Sequence, residues 1–488
     1  MKPKETKDAR FFIFGFLSAF LVSALIIIYK TDNSFGGGDP ISHYQIAHWA
    51  WKYPRLFLDV WGKPVFTILI SPWAQFGMDG ARIYNVVAGL ISALLAWKIC
   101  RQFELDNHWL APIFVLFIPI YFVLMFTSLT EITFSLFLTL ALFLFFRNRI
   151  VWSGVILSFI PLIRTEGIVL FPLFIVAFVL KKRYIAIFAL FSGFLIFSIA
   201  GLFVYHNFWW LISRNPYNGS AINIYGHGKL YHFVDKLPVI LGEPATYLFL
   251  IGSVILIFHW IVVEKGKLDN SFYLLLLVPG SFLIYFAAHS YAWWKGIGNS
   301  LGLVRVIGAV APAAAITAVI GFDKILIYLK RISWILKWIV AVATVAWIVD
   351  IGITTYNYGF RISPPELLMN KAAGFIKDNH LENNAVYYFD PYLIYKLGTD
   401  PYSGQAIQWY PKGDNPVKEL PAKSIIVWDA HFGPNEGNMS LEKLLQNNEI
   451  KVLKKIEPPQ PFKVLGGYNY AIYIFQKFQE TPSGETNL

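Results

Sequence analysis

The sequence predicts an α-helical polytopic membrane protein with about eleven transmembrane helices, followed by a small α/β domain at the carboxyl end. Three observations lead to this prediction. Of the 488 residues, 56% are hydrophobic and only 15% are charged, which is unlike a soluble domain. Apolar runs of membrane-spanning length recur through the first 355 residues. The remaining residues, 356–488, are more polar and contain short strand-like and helical segments.

The first apolar run, residues 11–29, follows the basic leader MKPKETKDAR. It can span a bilayer core of about 30 Å, and no small-residue cleavage site follows it. We therefore predict an uncleaved signal anchor with its amino terminus in the cytoplasm. Ten further apolar runs lie near residues 79–97, 109–126, 131–146, 150–163, 167–180, 185–205, 245–262, 272–288, 303–321 and 332–355.

Basic residues indicate how these spans are oriented. If the spans alternate from a cytoplasmic amino terminus, the cytoplasmic side receives Lys98, Arg147, Lys181, Lys265 and Lys330. This agrees with the positive-inside rule, and it places residues 356–488 outside the cell. The net charge is +11, and we expect the Lys and Arg residues that give rise to it to contact lipid headgroups and not nucleic acid. A bacterial inner membrane is the expected location. The predicted domains are a membrane domain, residues 1–355, and an exported domain, residues 356–488.

The run LIRTEGIVLFP places two charges, Arg164 and Glu166, within an otherwise apolar stretch, residues 150–180. Basic residues flank both ends of this stretch, so we expect it to reverse direction at Arg164. Each arm is then too short to cross the bilayer fully, and the charged apex should line a cavity. Charges at that depth indicate a functional site. The alternative is an ion pair that only caps two short helices.

Most other unusual ionisable residues fall on the predicted outer side. Asp39 and His43 lie in FGGGDPISHY, Glu131 in TSLTE and Arg305 in GLVRV. The outer loops 30–78 and 206–244 are rich in aromatic residues and are predicted to form helices in the membrane interface. They contribute three further candidates, Asp59, His206 and Arg214.

Each candidate also has a purely structural interpretation. Asp39 or Glu131 could cap a helix, and Arg305 could extend towards lipid headgroups. His43 more often packs than catalyses. The spacing of His227 and His232 gives only weak support for a metal site, so no metal ligand is predicted.

The exported domain is predicted from four strand-like segments and two helices. SPPELLMNKAAGFIKDNH should form a helix capped by its serine, and SLEKLLQNNE a second helix. Strand-like content appears in NAVYYFDPYLIYKL, KSIIVWDAHF, EIKVLKKI and YAIYIFQKF. Asp390, Asp429 and His431 fall at strand ends, where loop capping is favoured over a binding role.

Together, GGGDPISHY after a signal anchor, TSLTEITFSLFLTLALFL, LIRTEG, GLVRVIGAVAP and the exported domain resemble the GT-C superfamily of integral-membrane glycosyltransferases. The chain is most similar to its bacterial members, which are akin to dolichyl-phosphate-mannose-protein mannosyltransferases and lipid A aminoarabinose transferases. The resemblance covers roughly residues 1–320.

The resemblance implies site residues. Asp39 takes the position of the catalytic acid of the first outer loop, Glu131 the second acidic position, and Arg305 the late basic position that meets the donor phosphate. Arg164 is a weaker match to a phosphate-binding residue. Several members carry two adjacent acids, whereas Pro40 follows Asp39 here. The second acid is therefore Asp59, Glu131 or no residue. Glu166, His43, His206 and Arg214 remain candidates for substrate binding.

The resemblance implies an inverting glycosyltransferase that uses a sugar linked to polyprenyl phosphate, with a mannose-like sugar as one candidate. The acceptor is a protein, a lipid or a glycan at the outer membrane face. No cofactor is required by this chemistry, although a divalent metal is compatible with it. Two alternatives stay open: a non-enzymatic polyprenyl-phosphate transporter or flippase, and a sensor whose exported domain binds the ligand.

Overall fold

The computed structural model describes residues 7–32, 34, 37–215, 226–298, 300–356, 360–410 and 415–478. The leader residues 1–6, Gly36 of the glycine run and residues 216–225 of the second outer loop, all named in the predictions, lie outside the described residues.

The chain divides into two compact units. The membrane unit comprises Met1–Asp32 and Ile46–Phe360, and the C-terminal unit comprises Asn33–Gln45 and Arg361–Leu488. The second boundary lies five residues beyond the predicted one. The first segment of the C-terminal unit was not foreseen, because residues 33–45 carry no signal of membership in a distant domain. Asp39 and His43 therefore belong to the C-terminal unit.

The membrane unit is built from helices. Its α-helices are Lys7–Lys30, Pro64–Ala74, Gly77–Gln102, Ala111–Leu116, Pro119–Leu124, Glu131–Phe146, Ile150–Ser158, Phe171–Leu180, Ile185–Ala189, Ser192–Tyr205, Trp210–Ser213, His232–Asp235, Leu237–Leu241, Glu243–Phe258, Asn270–Lys295, Ala311–Ile332 and Trp334–Thr354. Shorter 3₁₀ helices are Pro54–Leu58, His108–Leu110, Ile160–Leu162, Thr165–Leu170 and Val304–Val310. A π-helical turn, His259–Val263, extends one helix, and the helix Gly38–Trp49 begins in the C-terminal unit.

Seven helical stretches within the described residues are long and apolar enough to cross a membrane. They are Arg10–Lys30, Gly77–Gln102, Ile185–Tyr205, Glu243–Val263, Asn270–Lys295, Val304–Ile332 and Trp334–Thr354. Each coincides with a predicted apolar run, which confirms the helical polytopic class. The runs at 131–146, 150–163 and 167–180 form shorter apolar helices, and 109–126 forms still shorter pieces. The number of crossings, eleven, stays a prediction.

The run at 109–126 is interrupted because a proline follows Ile118. Ile118 adopts an extended conformation, with φ −61° and ψ 122°, and Pro119 starts a new short helix. Proline disfavours the helical conformation in the residue before it, which explains the break. Hydropathy does not reveal this break, so the sequence predicted a single apolar run here.

The stretch 150–180 breaks at Arg164. Arg164 is extended, with φ −151° and ψ 122°, between the 3₁₀ helices Ile160–Leu162 and Thr165–Leu170, which pack against each other. The α-helices beyond them, Ile150–Ser158 and Phe171–Leu180, also contact each other. The chain therefore reverses at Arg164, where the sequence predicted a reversal.

Two long helices, Glu243–Phe258 and Ala311–Ile332, approach each other closely at glycine. A Cβ atom on Gly321 would lie 2.6 Å from the carbonyl oxygen of Leu248 and 2.7 Å from the amide nitrogen of Gly252. Such distances leave no room for a side chain. The small residues allow the close backbone packing common between membrane helices.

The C-terminal unit contains a five-stranded mixed sheet. Its strands are β1 (Val386–Tyr387), β2 (Ala406–Ile407), β3 (Ile425–Asp429), β4 (Ile450–Ile456) and β5 (Ile472–Lys477), in the order β2-β1-β3-β5-β4. β1 pairs in parallel with β2 and β3, and β5 pairs antiparallel with β3 and β4. The helices of its C-terminal segment are Pro364–Asp378, Pro391–Leu397 and Leu441–Leu445, with 3₁₀ turns Leu381–Asn383 and Leu465–Gly467.

The predicted α/β class of this unit is confirmed, with one local error. The segment NAVYYFDPYLIYKL has strand-like composition, but only Val386–Tyr387 forms a strand. The second half is the helix Pro391–Leu397, because the Asp390 carboxylate caps it by accepting a hydrogen bond from the Tyr392 amide at 2.9 Å. The aspartate-proline start outweighs the aromatic composition.

We predict that Gly321→Val destabilises the membrane unit by about 2 kcal/mol, because the added side chain forces two packed helix backbones apart. Thermal unfolding of the purified chain in detergent measures the change. Gly15→Val is the matched control, since a Cβ at Gly15 meets no atom within 4 Å. Equal effects of the two substitutions would contradict the proposed helix contact.

Candidate functional site

A buried polar cluster in the membrane unit joins Glu131, Arg164, Glu166 and Arg305, which we call the arginine–glutamate cluster. All four were predicted as site residues. They come from three separate parts of the chain: the start of the helix Glu131–Phe146, the reversal around Arg164 and the 3₁₀ helix Val304–Val310.

Arg164 makes most of the contacts in this cluster. Its Nε donates to Glu166 Oε1 at 2.6 Å, and its Nη1 donates to Glu131 Oε1 at 2.7 Å and to Thr130 Oγ1 at 3.2 Å. The extended backbone at the reversal allows one guanidinium group to reach both carboxylates. Because charge-assisted bonds of this length are strong, they fix the guanidinium plane.

Glu131 lies between the two arginines. Its side chain is fully buried, and its Oε1 is 4.0 Å from Arg305 Nε as well as bonded to Arg164. Among the described residues, Glu131 Oε2 has no hydrogen-bond partner. The Arg164 and Arg305 side chains keep 17% and 18% of their surface exposed. Glu131 thus contacts both guanidinium groups, and each of them keeps part of its surface exposed.

Two further polar residues, Tyr285 and His289, join the cluster from the helix Asn270–Lys295. Tyr285 Oη donates to Glu166 Oε1 at 3.4 Å, and His289 Nε2 lies 3.9 Å from the same oxygen. Their rings contact each other edge to face at 4.6 Å. Sequence reasoning missed both, although a histidine within a long apolar helix is a signal that could have identified His289.

Three other predicted residues have a different set of neighbours. Asp59 Oδ1 accepts from the Gly62 amide at 2.7 Å, which closes a tight turn. The Arg214 guanidinium stacks on the Tyr205 ring at 4.2 Å. His206 ends the helix Ser192–Tyr205 in a left-handed conformation, with φ 51°. These contacts shape the outer loops, and a substrate-binding role for the three residues stays a prediction.

Asp39 and His43 lie in the C-terminal unit, on the first turns of the helix Gly38–Trp49. Asp39 is half-buried and His43 is buried. Gly37, just before this helix, has φ 71°, a conformation that glycine adopts readily. The glycine run therefore ends in a turn that presents Asp39 at a helix amino terminus.

Two buried aspartates of the C-terminal unit serve as caps. Asp429, at the end of β3, accepts from the amides of His431 at 3.0 Å and Phe432 at 2.8 Å, while Asp390 caps the helix after β1. This is the capping role that the sequence favoured for them. Burial raises the pKa of both carboxyls, and the charge of Asp429 raises the pKa of Asp390 further.

Within the described ranges, no group of three or more histidine, cysteine, aspartate or glutamate side chains could hold a metal ion. The expectation that the chemistry requires no metal stays a prediction. Arginine is the residue that the cluster offers for binding an anion, because its planar fork matches phosphate oxygens and keeps its charge.

Comparisons with known proteins support the fold. The structure is similar to the crystal structure of ArnT from Cupriavidus metallidurans bound to undecaprenyl phosphate, with a TM-score of 0.61 and 12% sequence identity, covering 94% of this chain and 98% of that one. No family model matches the sequence, and no curated protein matches it. The chain therefore has a GT-C-like fold, which the sequence motifs had predicted.

We predict that Glu131→Gln destabilises the membrane unit by about 3 kcal/mol, because it removes one member of a buried ion pair and leaves guanidinium charge less compensated. Thermal unfolding in detergent reports the change. Glu264→Gln is the control, since Glu264 pairs with His259 at 3.6 Å on the surface and should contribute less than about 1 kcal/mol. An equal loss of stability in both variants would show that the buried Glu131 ion pair contributes no more than a surface ion pair.

We predict that the C-terminal unit loses stability as pH rises. An aspartate whose pKa is raised on folding binds more protons in the folded state, so its stabilisation is complete below about pH 4 and is lost as pH rises through the folded pKa. Hydrogen exchange of β3 and β5 amides in the full chain, corrected for intrinsic rates, measures this trend.

Asp390→Asn tests the cause of that trend, since asparagine keeps the helix cap without a titratable group. Its pH dependence should be flatter than that of the wild-type chain. An unchanged slope would exclude Asp390 as the source. Several ionisable groups act on or are shifted by the aspartate pair: Glu366, Tyr388, Tyr410 and Tyr470.

Proposed function

We propose that this chain is an inverting glycosyltransferase that takes a sugar from a polyprenyl-phosphate donor and transfers it to an acceptor at the outer face of a bacterial inner membrane. The observation that carries the proposal is the convergence of Arg164 and Arg305 on Glu131, in a chain with a GT-C-like fold. The bound undecaprenyl phosphate of the structurally similar ArnT supports the same class of donor.

The two arginines have different parts in the proposal. Two nitrogens of Arg164 already bond to Glu166, Glu131 and Thr130, so this residue chiefly orders the cluster. Arg305 is the principal donor-phosphate ligand in this scheme. Guanidinium groups held by a buried carboxylate need little rearrangement when the anion binds, and such preorganisation favours the charge that develops during transfer.

Asp39 is the proposed base. The acceptor oxygen attacks the anomeric carbon, and the bond between that carbon and the donor phosphate oxygen breaks with its electron pair. The acceptor proton passes to the Asp39 carboxylate. The products are the glycosylated acceptor and polyprenyl phosphate, with inverted anomeric configuration. Because phosphate is a good leaving group, this step needs a base and cations and no second carboxylic acid as proton donor.

We predict that Asp39→Asn lowers the rate of sugar transfer at least 100-fold while binding of undecaprenyl phosphate is largely retained, because the amide cannot accept the proton. Mass spectrometry of lipids and proteins from membranes with and without the chain identifies the sugar and the acceptor. Release of undecaprenyl phosphate from an undecaprenyl-phosphate sugar then gives the rate. Asp378→Asn, on an exposed position of the C-terminal unit, is the matched control.

In the same assays, Arg305→Gln should weaken undecaprenyl phosphate binding about tenfold or more, since a charge-assisted bond is lost, whereas the exposed Arg331→Gln should not. Transfer by folded Asp39→Asn at the wild-type rate would exclude Asp39 as the base. Lipid binding without transfer by the wild-type chain would instead favour the transporter or flippase alternative.

A further inference from the structure

His232, which the sequence offered only as weak support for a metal site, holds the chain just before Arg305. Its ring nitrogen Nε2 lies 2.9 Å from the carbonyl oxygen of Gly302, 70 positions later in the chain. A carbonyl oxygen only accepts, so Nε2 carries the proton and donates the hydrogen bond. Between Gly302 and Arg305 stand only Leu303 and Val304. The bond therefore fixes the point at which the chain enters the 3₁₀ helix of Arg305.

The indole ring of Trp293, near the end of the helix Asn270–Lys295, also contacts Gly302. A Cβ atom on Gly302 would lie 2.7 Å from Trp293 Cε2, so a larger residue does not fit against the ring. Gly302 has φ 65°, in the left-handed region that glycine adopts readily. The His232 ring meets the indole edge to face at 5.9 Å. Gly302 is buried and is thus held by both a hydrogen-bond donor and an aromatic ring.

Two other residues of the second outer loop pack on the same helix. The Gly228 amide donates to the Trp293 carbonyl oxygen at 3.1 Å, and a Cβ atom on Gly228 would overlap the indole ring. The fully buried Phe233 ring lies edge to face with the His289 ring at 6.4 Å. His289 in turn lies 3.9 Å from Glu166 Oε1. The loop therefore contacts the arginine–glutamate cluster itself as well as the segment that leads into it.

The far end of the 3₁₀ helix Val304–Val310 is fixed independently of this loop. A Cβ atom on Gly308 would lie 2.5 Å from Leu124 Cδ1, because the 3₁₀ helix packs closely against the helix Pro119–Leu124. Contacts at both ends leave the backbone of Arg305 little freedom. Loss of the contacts at Gly302 would leave the 3₁₀ helix held at its far end only.

We propose that His232 and Trp293 are positioning residues that hold Arg305 in place for the donor phosphate. This inference rests on the proposed function, in which Arg305 is the principal phosphate ligand. A displacement of about 1 Å in a residue that positions a substrate can lower a rate about 100-fold. His232 acts through the backbone of Arg305, so the second outer loop sets the affinity for the donor.

Substitutions of His232 test the hydrogen bond to Gly302. We expect His232→Phe, which keeps an aromatic ring without a donor, to weaken binding of undecaprenyl phosphate about fivefold. His232→Gln supplies an amide donor and should restore most of the affinity. Equilibrium binding to the purified chain in detergent gives these values. His259→Phe is the matched control, because His259 is a partly exposed histidine outside the outer loops, and it should bind as the wild-type chain does.

Combination with Arg305→Gln shows whether His232 acts through Arg305. Two substitutions that affect the same interaction are not additive. In the Arg305→Gln chain, His232→Phe should therefore change the affinity less than about twofold. A loss of equal size with and without Arg305 would overturn the positioning role, because a general loss of structure weakens binding in both chains.

Two glycines with nearly the same backbone angle test the contact with Trp293. Gly302 and Gly298 have φ 65° and 66°, but a Cβ atom on Gly298 meets no atom within 4 Å. Alanine is strained to a similar extent at both positions, and only at Gly302 does it also collide with the indole ring. Gly302→Ala should weaken lipid binding about tenfold more than Gly298→Ala does. Equal affinities of the two variants would contradict the role of Trp293.

Hydrogen exchange separates this inference from the proposed function, since it needs neither lipid nor acceptor. Amides of residues 303–306 in the full chain should exchange about tenfold faster in His232→Phe, because the bond that holds Gly302 is gone. If exchange accelerates but the wild-type chain binds no undecaprenyl phosphate, the attachment stands and the proposed function fails. Unchanged exchange of residues 303–306 in the folded His232→Phe chain would overturn the inference.

Discussion

The pairing of Arg164 with Glu131 and Glu166 is the interaction on which the organisation of the membrane unit around the candidate site depends. Arg164 lies at a reversal between two 3₁₀ helices of the membrane unit, and a charge in that place needs compensation. Glu131 supplies it from the helix Glu131–Phe146, and Glu166 from the reversal itself. Arg305, Tyr285 and His289 then contact these two carboxylates. One polar network thus joins four parts of the chain that are far apart in sequence.

The C-terminal unit uses its carboxylates differently. Three of them accept hydrogen bonds from the backbone: Glu366 from the Ser34 amide, Asp390 from the Tyr392 amide and Asp429 from the Phe432 amide. Without these hydrogen bonds, the short loops of the mixed sheet could adopt other turn conformations. In this unit these three carboxylates fix backbone geometry, whereas Glu131 and Glu166 of the membrane unit balance arginine.

Local sequence patterns predicted much of this structure. Contacts between residues far apart in the sequence could not be predicted from such patterns. Hydropathy and caps located the long helices, and charge on both flanks of an apolar stretch predicted the reversal at Arg164. The sequence placed Glu131 and Arg164 on the same side of the membrane, but it did not predict the ion pair between them. The bond from Ser34 to Glu366 could not be foreseen, because a serine next to a glycine run carries no mark of its distant partner. Tyr285 and His289 were missed because their helix was judged by its hydropathy alone.

The energetics of Glu131 agree with the binding role that we propose for the arginine–glutamate cluster. A fully buried carboxylate costs several kcal/mol in desolvation, and well-packed apolar side chains in place of a buried ion pair are often neutral or stabilising. Here the cost is larger still, because among the described residues Glu131 Oε2 has no hydrogen-bond partner. In a cluster that only stabilised the fold, we would expect Glu131 Oε2 to have a hydrogen-bond partner, or an apolar side chain to stand in place of the carboxylate. In the role proposed for the cluster, Glu131 holds two guanidinium groups in place before an anion arrives, and this role requires the charge of Glu131 even though its burial is costly.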